Sequence, residues 1–104
     1  MNVGGVKIDL AALDALARDW PGVEDAAAFT LTSPLGLPEP ALALRCGSGV
    51  DLPGLAAACA DRFSGVRPAV VYQVAAIPRN AYGKPVRHAL LDAYLREPAR
   101  RTTG

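Results

Sequence analysis

Two cysteines and one histidine are the only soft metal ligands in this 104-residue chain. Cys46 and Cys59 show no CxxC spacing, and His88 lies far from both along the chain. A structural zinc site takes about four nitrogen or sulfur ligands at short local spacings, so no metal centre is expected. The same two thiols are too few for a disulfide scaffold, which predicts buried free cysteines and a cytoplasmic protein. No apolar run approaches the roughly 20 residues that a transmembrane helix needs. Met1 to Asp9 has no basic segment followed by an apolar run, so no signal peptide is expected. Strong net charge is missing too: 11 basic and 10 acidic side chains leave +1. That argues against a basic nucleic-acid binder and against an acidic solvating tail.

The residues present describe one globular domain. Hydrophobic residues make up 51% and charged residues 20% of the chain, enough apolar surface to build a core at this length. Charge is unevenly spread. Residues 1–52 carry seven acids and three bases, for −4, and residues 53–104 carry three acids and eight bases, for +5. The basic half suits an anionic partner. For the tail alone (Arg96, Arg100 and Arg101), a solvated, fraying terminus is the simpler reading.

Periodicity predicts the elements. Leu10, Leu13, Leu16, Ala17 and Trp20 recur at helical spacing, Asp9 can cap the run, and Pro21-Gly22 stops it. Val23 to Thr32 reads as a strand, with Val23, Ala27, Phe29 and Leu31 on one parity. Ser33 to Pro40 holds three prolines and a glycine, which predicts a loop or wide hairpin turn, and Ala41 to Cys46 a second strand paired with the first. A second helix follows Asp51, with Pro53 in its first turn and Leu52, Leu55, Cys59 and Phe63 on its buried stripe. Ala69 to Ala75 is the third strand. Pro85 fits the first position of a third helix, with Val86, Ala89, Leu90, Ala93 and Tyr94 facing inward. The expected fold is α+β: a three-stranded sheet packed with about three helices, plus a short N-terminal hairpin. Residues 1–96 form the expected domain and 97–104 a flexible basic tail.

Two segments can carry chemistry. Between the third strand and the third helix lies Pro78-Arg79-Asn80-Ala81-Tyr82-Gly83-Lys84. Gly83 permits a tight turn, and a lysine at a helix N-terminus is a reasonable clamp for phosphate or carboxylate. The P-loop pattern is absent, because Pro85 follows Gly-Lys and no glycine stands five positions before Gly83. An ordinary exposed lysine is the competing reading of Lys84. The second segment is Asn2-Val3-Gly4-Gly5-Val6-Lys7-Ile8, whose glycine pair fits a tight hairpin or a close backbone approach; a simple turn at a frayed end competes. His88 has no neighbour that marks a catalytic arrangement and reads as a surface histidine.

Taken in order, Gly4-Gly5-Val6-Lys7-Ile8, Trp20-Pro21-Gly22-Val23 and Ile77-Pro78-Arg79-Asn80-Ala81-Tyr82-Gly83-Lys84 with Arg87 beyond it form a recognisable series. The chain resembles the small C-terminal domain of the AMP-forming acyl-adenylating enzymes. These include acyl- and aryl-CoA synthetases, nonribosomal peptide synthetase adenylation domains and luciferases. The resemblance spans Asn2 to about Leu95. Each motif alone is weak, but the three at these separations are specific. The resemblance implies that Lys84, with Gly83 before it, enters the active site of a large N-terminal adenylation domain. There it would bridge the substrate carboxylate and the nucleotide phosphates. It further implies that the domain then rotates, so that Gly4 and Gly5 line a channel for the pantetheine thiol of CoA or of a carrier protein. ATP and CoA, or carrier-protein phosphopantetheine, are thus expected as cofactors only together with that large domain. Mg2+ would accompany ATP without being bound by this chain.

The departures are specific. The ATP-binding domain and the residue before the glycine loop are not in the sequence, which fits a subunit acting in trans or a piece of a longer enzyme. Pro85 replaces an aliphatic residue. Ala12 and Asp14 stand where the family's first helix carries glutamates. The alternative reading keeps the fold as a non-catalytic module that docks on an adenylating enzyme or carrier protein. A third is an unrelated anion-binding α+β domain.

Overall fold

The computed structural model describes residues 1–96; the basic tail expected over 97–104 lies outside the described residues. The elements in chain order are β1 (Asn2–Val3), β2 (Val6–Lys7), α1 (Leu10–Arg18), β3 (Val23–Thr32), β4 (Pro38–Cys46), α2 (Leu52–Arg62), β5 (Val70–Gln73) and α3 (Arg87–Arg96). The fold is α+β. β1 and β2 form an antiparallel hairpin, and β3-β4-β5 form a mixed sheet, antiparallel between β3 and β4 and parallel between β4 and β5. No helix among the described residues is long and apolar enough to cross a membrane.

Both predicted acid caps form. Asp9 accepts the amide of Ala11 and Asp51 that of Gly54, each at 2.9 Å, satisfying donors that the first helical turn leaves free. The central strands are buried on both faces, because helices cover both. Ala26, Ala28, Leu42 and Leu44 face α1 and α2, packing with Leu13, Ala17, Leu55, Cys59 and Phe63. Ala27, Phe29, Ala41 and Ala43 face the other way, against Tyr72, Ile77, Leu90 and Tyr94. The alanines on this second face leave room for three rings, with centroids 5.3–6.1 Å apart. Aromatic clusters favour that range.

Five expectations require correction. The segment Ser33 to Pro40 is a hairpin connection, as the second alternative has it, but narrower: β4 begins at Pro38, and only the short turn before it connects the strands. The Pro40 carbonyl accepts from Ala69 just ahead of β5. The missing proline N–H therefore points past the start of β5, where no ladder partner is needed. Val23 does not share a face with Ala27, Phe29 and Leu31. A register shift between Val23 and Asp25 turns it toward the α1 side, as a bulge inverts side-chain parity. The third strand is shorter than Ala69 to Ala75. Finally, α3 begins at Arg87, and Pro85 pairs instead with Arg79 in an isolated antiparallel bridge. Ala93, expected inside, is exposed.

Cys59 is buried, whereas Cys46 is only half-buried. Burial pushes the Cys59 thiol up to about 11. Burial and the nearby Glu24 carboxylate also raise Cys46, by less. The thiolate is the reactive form. In the folded chain at about pH 8, Cys46 should be alkylated first and Cys59 only on unfolding. Peptide mass spectrometry after timed iodoacetamide exposure checks this; equal labelling of the two would contradict it.

Candidate functional site

The segment Arg79 to Pro85 is a closed turn. Asn80 donates its backbone amide to the Lys84 carbonyl at 2.9 Å and accepts from Gly83 N at 3.0 Å. Its side-chain oxygen accepts from the amides of Tyr82 at 2.9 Å and Lys84 at 3.1 Å, the local bonding that makes asparagine a turn residue. Gly83 takes φ +79°, which a side chain would resist. Lys84 is therefore not at a helix N-terminus: it precedes α3 by three residues. The helix-dipole argument for anion binding does not apply to it. Its side chain is exposed and joins no ion pair among the described residues.

Two arginine forks anchor the surroundings. Arg79 donates from Nε and Nη2 to the two Asp25 carboxylate oxygens, at 3.2 and 2.5 Å, and from Nη1 to the Gly83 carbonyl at 2.7 Å. Arg87, the first residue of α3, donates to both oxygens of Asp14 on α1, at 3.0 and 2.9 Å, and to the Ala28 carbonyl at 2.7 Å. Asp14 also accepts the Ala28 amide at 2.6 Å. β3 is an edge strand, and these two side chains satisfy the outward-facing backbone of its middle residue. The pair thereby blocks an edge open to another strand and ties α1, β3 and α3 together.

Lys84, Arg18, Arg79 and Arg87 line a cleft of about 340 Å³ with Asp14, Gly83, Pro85 and Ala11. It offers cations to an anionic group. Neither Gly4 nor Gly5 lines it. Those two form the β1–β2 turn, at φ +55° and +86°. A Cβ on either would meet nothing within 4 Å. Within this chain the glycines serve the turn's backbone conformation, not a close approach. His88 is exposed, as expected. No group of three or more metal-ligating side chains occurs among the described residues.

In the sequence Asp14 stands out only as a replaced glutamate, and nothing marks Asp25. The available signal was an acid at Asp14 within the apolar stripe of Leu10, Leu13 and Ala17. Burial pushes the Asp25 carboxyl up, but the Arg79 hydrogen bond, the Ala26 amide and the Arg79 and Arg45 charges outweigh it. Its pKa lies below 3.8. The Asp25 hydrogen bond and charge raise Arg79 against its own desolvation. A carboxyl depressed on folding stabilises fully above its unfolded value and loses that contribution as pH falls through 3.8 toward the folded value. The Tm gap between the wild type and Asp25→Asn should therefore be largest near neutral pH and shrink below about pH 4. A gap unchanged down to about pH 2.5 would remove Asp25 from the acid response.

No protein-family model matches the chain, and no curated protein matches it. Solved structures do. An o-succinylbenzoate CoA synthetase from Bacillus subtilis is 25% identical, with a TM-score of 0.76 over 88% of this chain and 19% of that one. A fatty acyl CoA synthetase from Mycobacterium tuberculosis is 24% identical, with a TM-score of 0.77 over 90% of this chain and 19% of that one. NpsA of Klebsiella oxytoca, in complex with 3-hydroxyanthranilyl-AMSN, is 23% identical, with a TM-score of 0.75 over 91% and 19%. This chain thus spans about a fifth of the length of each. The motif series and the matching architecture agree: the chain has the α+β fold found in these synthetases and is similar to a small domain of the AMP-forming acyl-adenylating enzymes.

Proposed function

We propose that residues 1–96 are the mobile lid of a cytoplasmic, ATP-dependent acyl-adenylating enzyme that loads CoA or a carrier protein. The lid works on a large N-terminal adenylation domain, either in trans or within one longer polypeptide. The observation carrying this reading is the exposed Lys84, in no ion pair among the described residues, on a closed turn beside a basic cleft, in a fold shared with CoA synthetases. Adenylate formation concentrates negative charge at the α-phosphate, where a positioned cation is the main source of stabilisation. Lys84 supplies that cation to the substrate carboxylate and nucleotide phosphates. The Gly4–Gly5 turn lies outside the Lys84 cleft, which suits a lid that presents one face for adenylation and another for thioester formation. Both ATP and the pantetheine thiol bind chiefly to the large domain, and Mg2+ arrives with ATP.

The test is immunoprecipitation of the native protein from its source cells, with mass spectrometry of bait and partners, followed by pyrophosphate exchange. Recovery with a separate large adenylation domain, or as part of one long polypeptide, supports the lid. A small bait with no such partner overturns it and favours a docking module.

A further inference from the structure

We propose that Arg79 is a positioning residue for Lys84, an inference that rests on Lys84 being the cation of the adenylation step. A simple ion pair would need only the Arg79 and Asp25 charges. Here the guanidinium spends two donors on Asp25 and its third on the carbonyl of Gly83, the residue directly before Lys84. Asp25 is itself held to β3 through the Ala26 amide at 2.9 Å. The Lys84 turn is thereby moored to the central sheet, not to α3. The Arg79–Pro85 bridge and the Val86 amide on the Pro78 carbonyl, at 2.9 Å, close the neck of the same loop. The pair is only 25% and 19% exposed, so water competes weakly for the Asp25 bonds, which hold the guanidinium in place for its exposed bond to the Gly83 carbonyl. The planar fork is what allows three bonds at once. Lysine keeps the charge but presents a point donor on a flexible stem. It can hold Asp25 or the Gly83 carbonyl but not reproduce both contacts.

Two measurements on Arg79→Lys test this. In the full chain alone, amide exchange of Gly83 and Lys84 should accelerate about 10-fold or more, while β3 and β4 amides stay protected. With the partner adenylation domain, kcat for pyrophosphate exchange should fall up to about 10²-fold with KM for ATP little changed. The thermal midpoint should move by only a few degrees, because lysine keeps a positive charge near Asp25. Turn amides protected as in the wild type overturn the proposal. So does a loosened turn with undiminished kcat, provided that Lys84→Ala is inactive. An active Lys84→Ala overturns the reading beneath it instead. Should Arg79→Lys lose protection throughout the sheet, the double variant Asp25→Asn/Arg79→Met decides. It removes the fork without stranding a charge, and a protected turn there overturns the proposal.

Discussion

Lys84→Ala should lower adenylate formation by about 10²–10³-fold, the usual cost of removing one preorganised charge-stabilising contact. The readout is pyrophosphate exchange by the adenylation domain with this chain. Folding should be unaffected, because the side chain is exposed and joins no ion pair among the described residues. Such surface changes usually stay within about 0.5 kcal/mol. The decisive control is the second half-reaction. Thioester formation from a preformed acyl-adenylate should remain within a few-fold of the wild type, since the proposed thiol channel uses the Gly4–Gly5 turn. Equal losses in both half-reactions would point to failed docking. An undiminished exchange rate would remove Lys84 from the chemistry.

Asp14→Ala should be the most damaging change to the fold. The Asp14 side chain is 6% exposed and accepts three hydrogen bonds, two from the Arg87 fork and one from the Ala28 amide. Its loss leaves a 30% exposed guanidinium without its partner and an edge-strand amide unsatisfied. Breaking a buried pair from one side costs about 3–5 kcal/mol; partial exposure of Arg87 favours the lower end. About 3 kcal/mol corresponds to a Tm drop of roughly 12 °C or more at this size. Replacing both partners, as Asp14→Leu with Arg87→Met, should recover much of that, because no charge is then stranded. Calorimetry of the three variants checks the ordering. A double variant less stable than Asp14→Ala would contradict it.

Much of the fold was legible because its signals are local. Asp9 and Asp51 cap helices through their own next-turn amides. The glycine pair sets a two-residue turn, and the apolar spacing of Leu10, Leu13 and Ala17 marks one face of α1. The errors fall where distant residues intervene. Val23 changed face because a bulge interrupts the β3–β4 register. Pro38 and Pro40 joined a strand because β5 starts beyond them. Pro85 failed to open α3 because Arg79 captured it in a bridge.

The candidate site divides along the same line. Gly83-Lys84 and Gly4-Gly5 stand out as short motifs, since turn chemistry depends on neighbours within a few positions. Asp25 with Arg79 and Asp14 with Arg87 are separated by 54 and 73 residues. No periodicity encodes such pairings. They exist because helices cover both faces of β3-β4-β5 and bring α1, β3 and the Lys84 turn to one edge. Residue types marked the Gly83-Lys84 turn, and the packed sheet decided which distant side chains hold that turn.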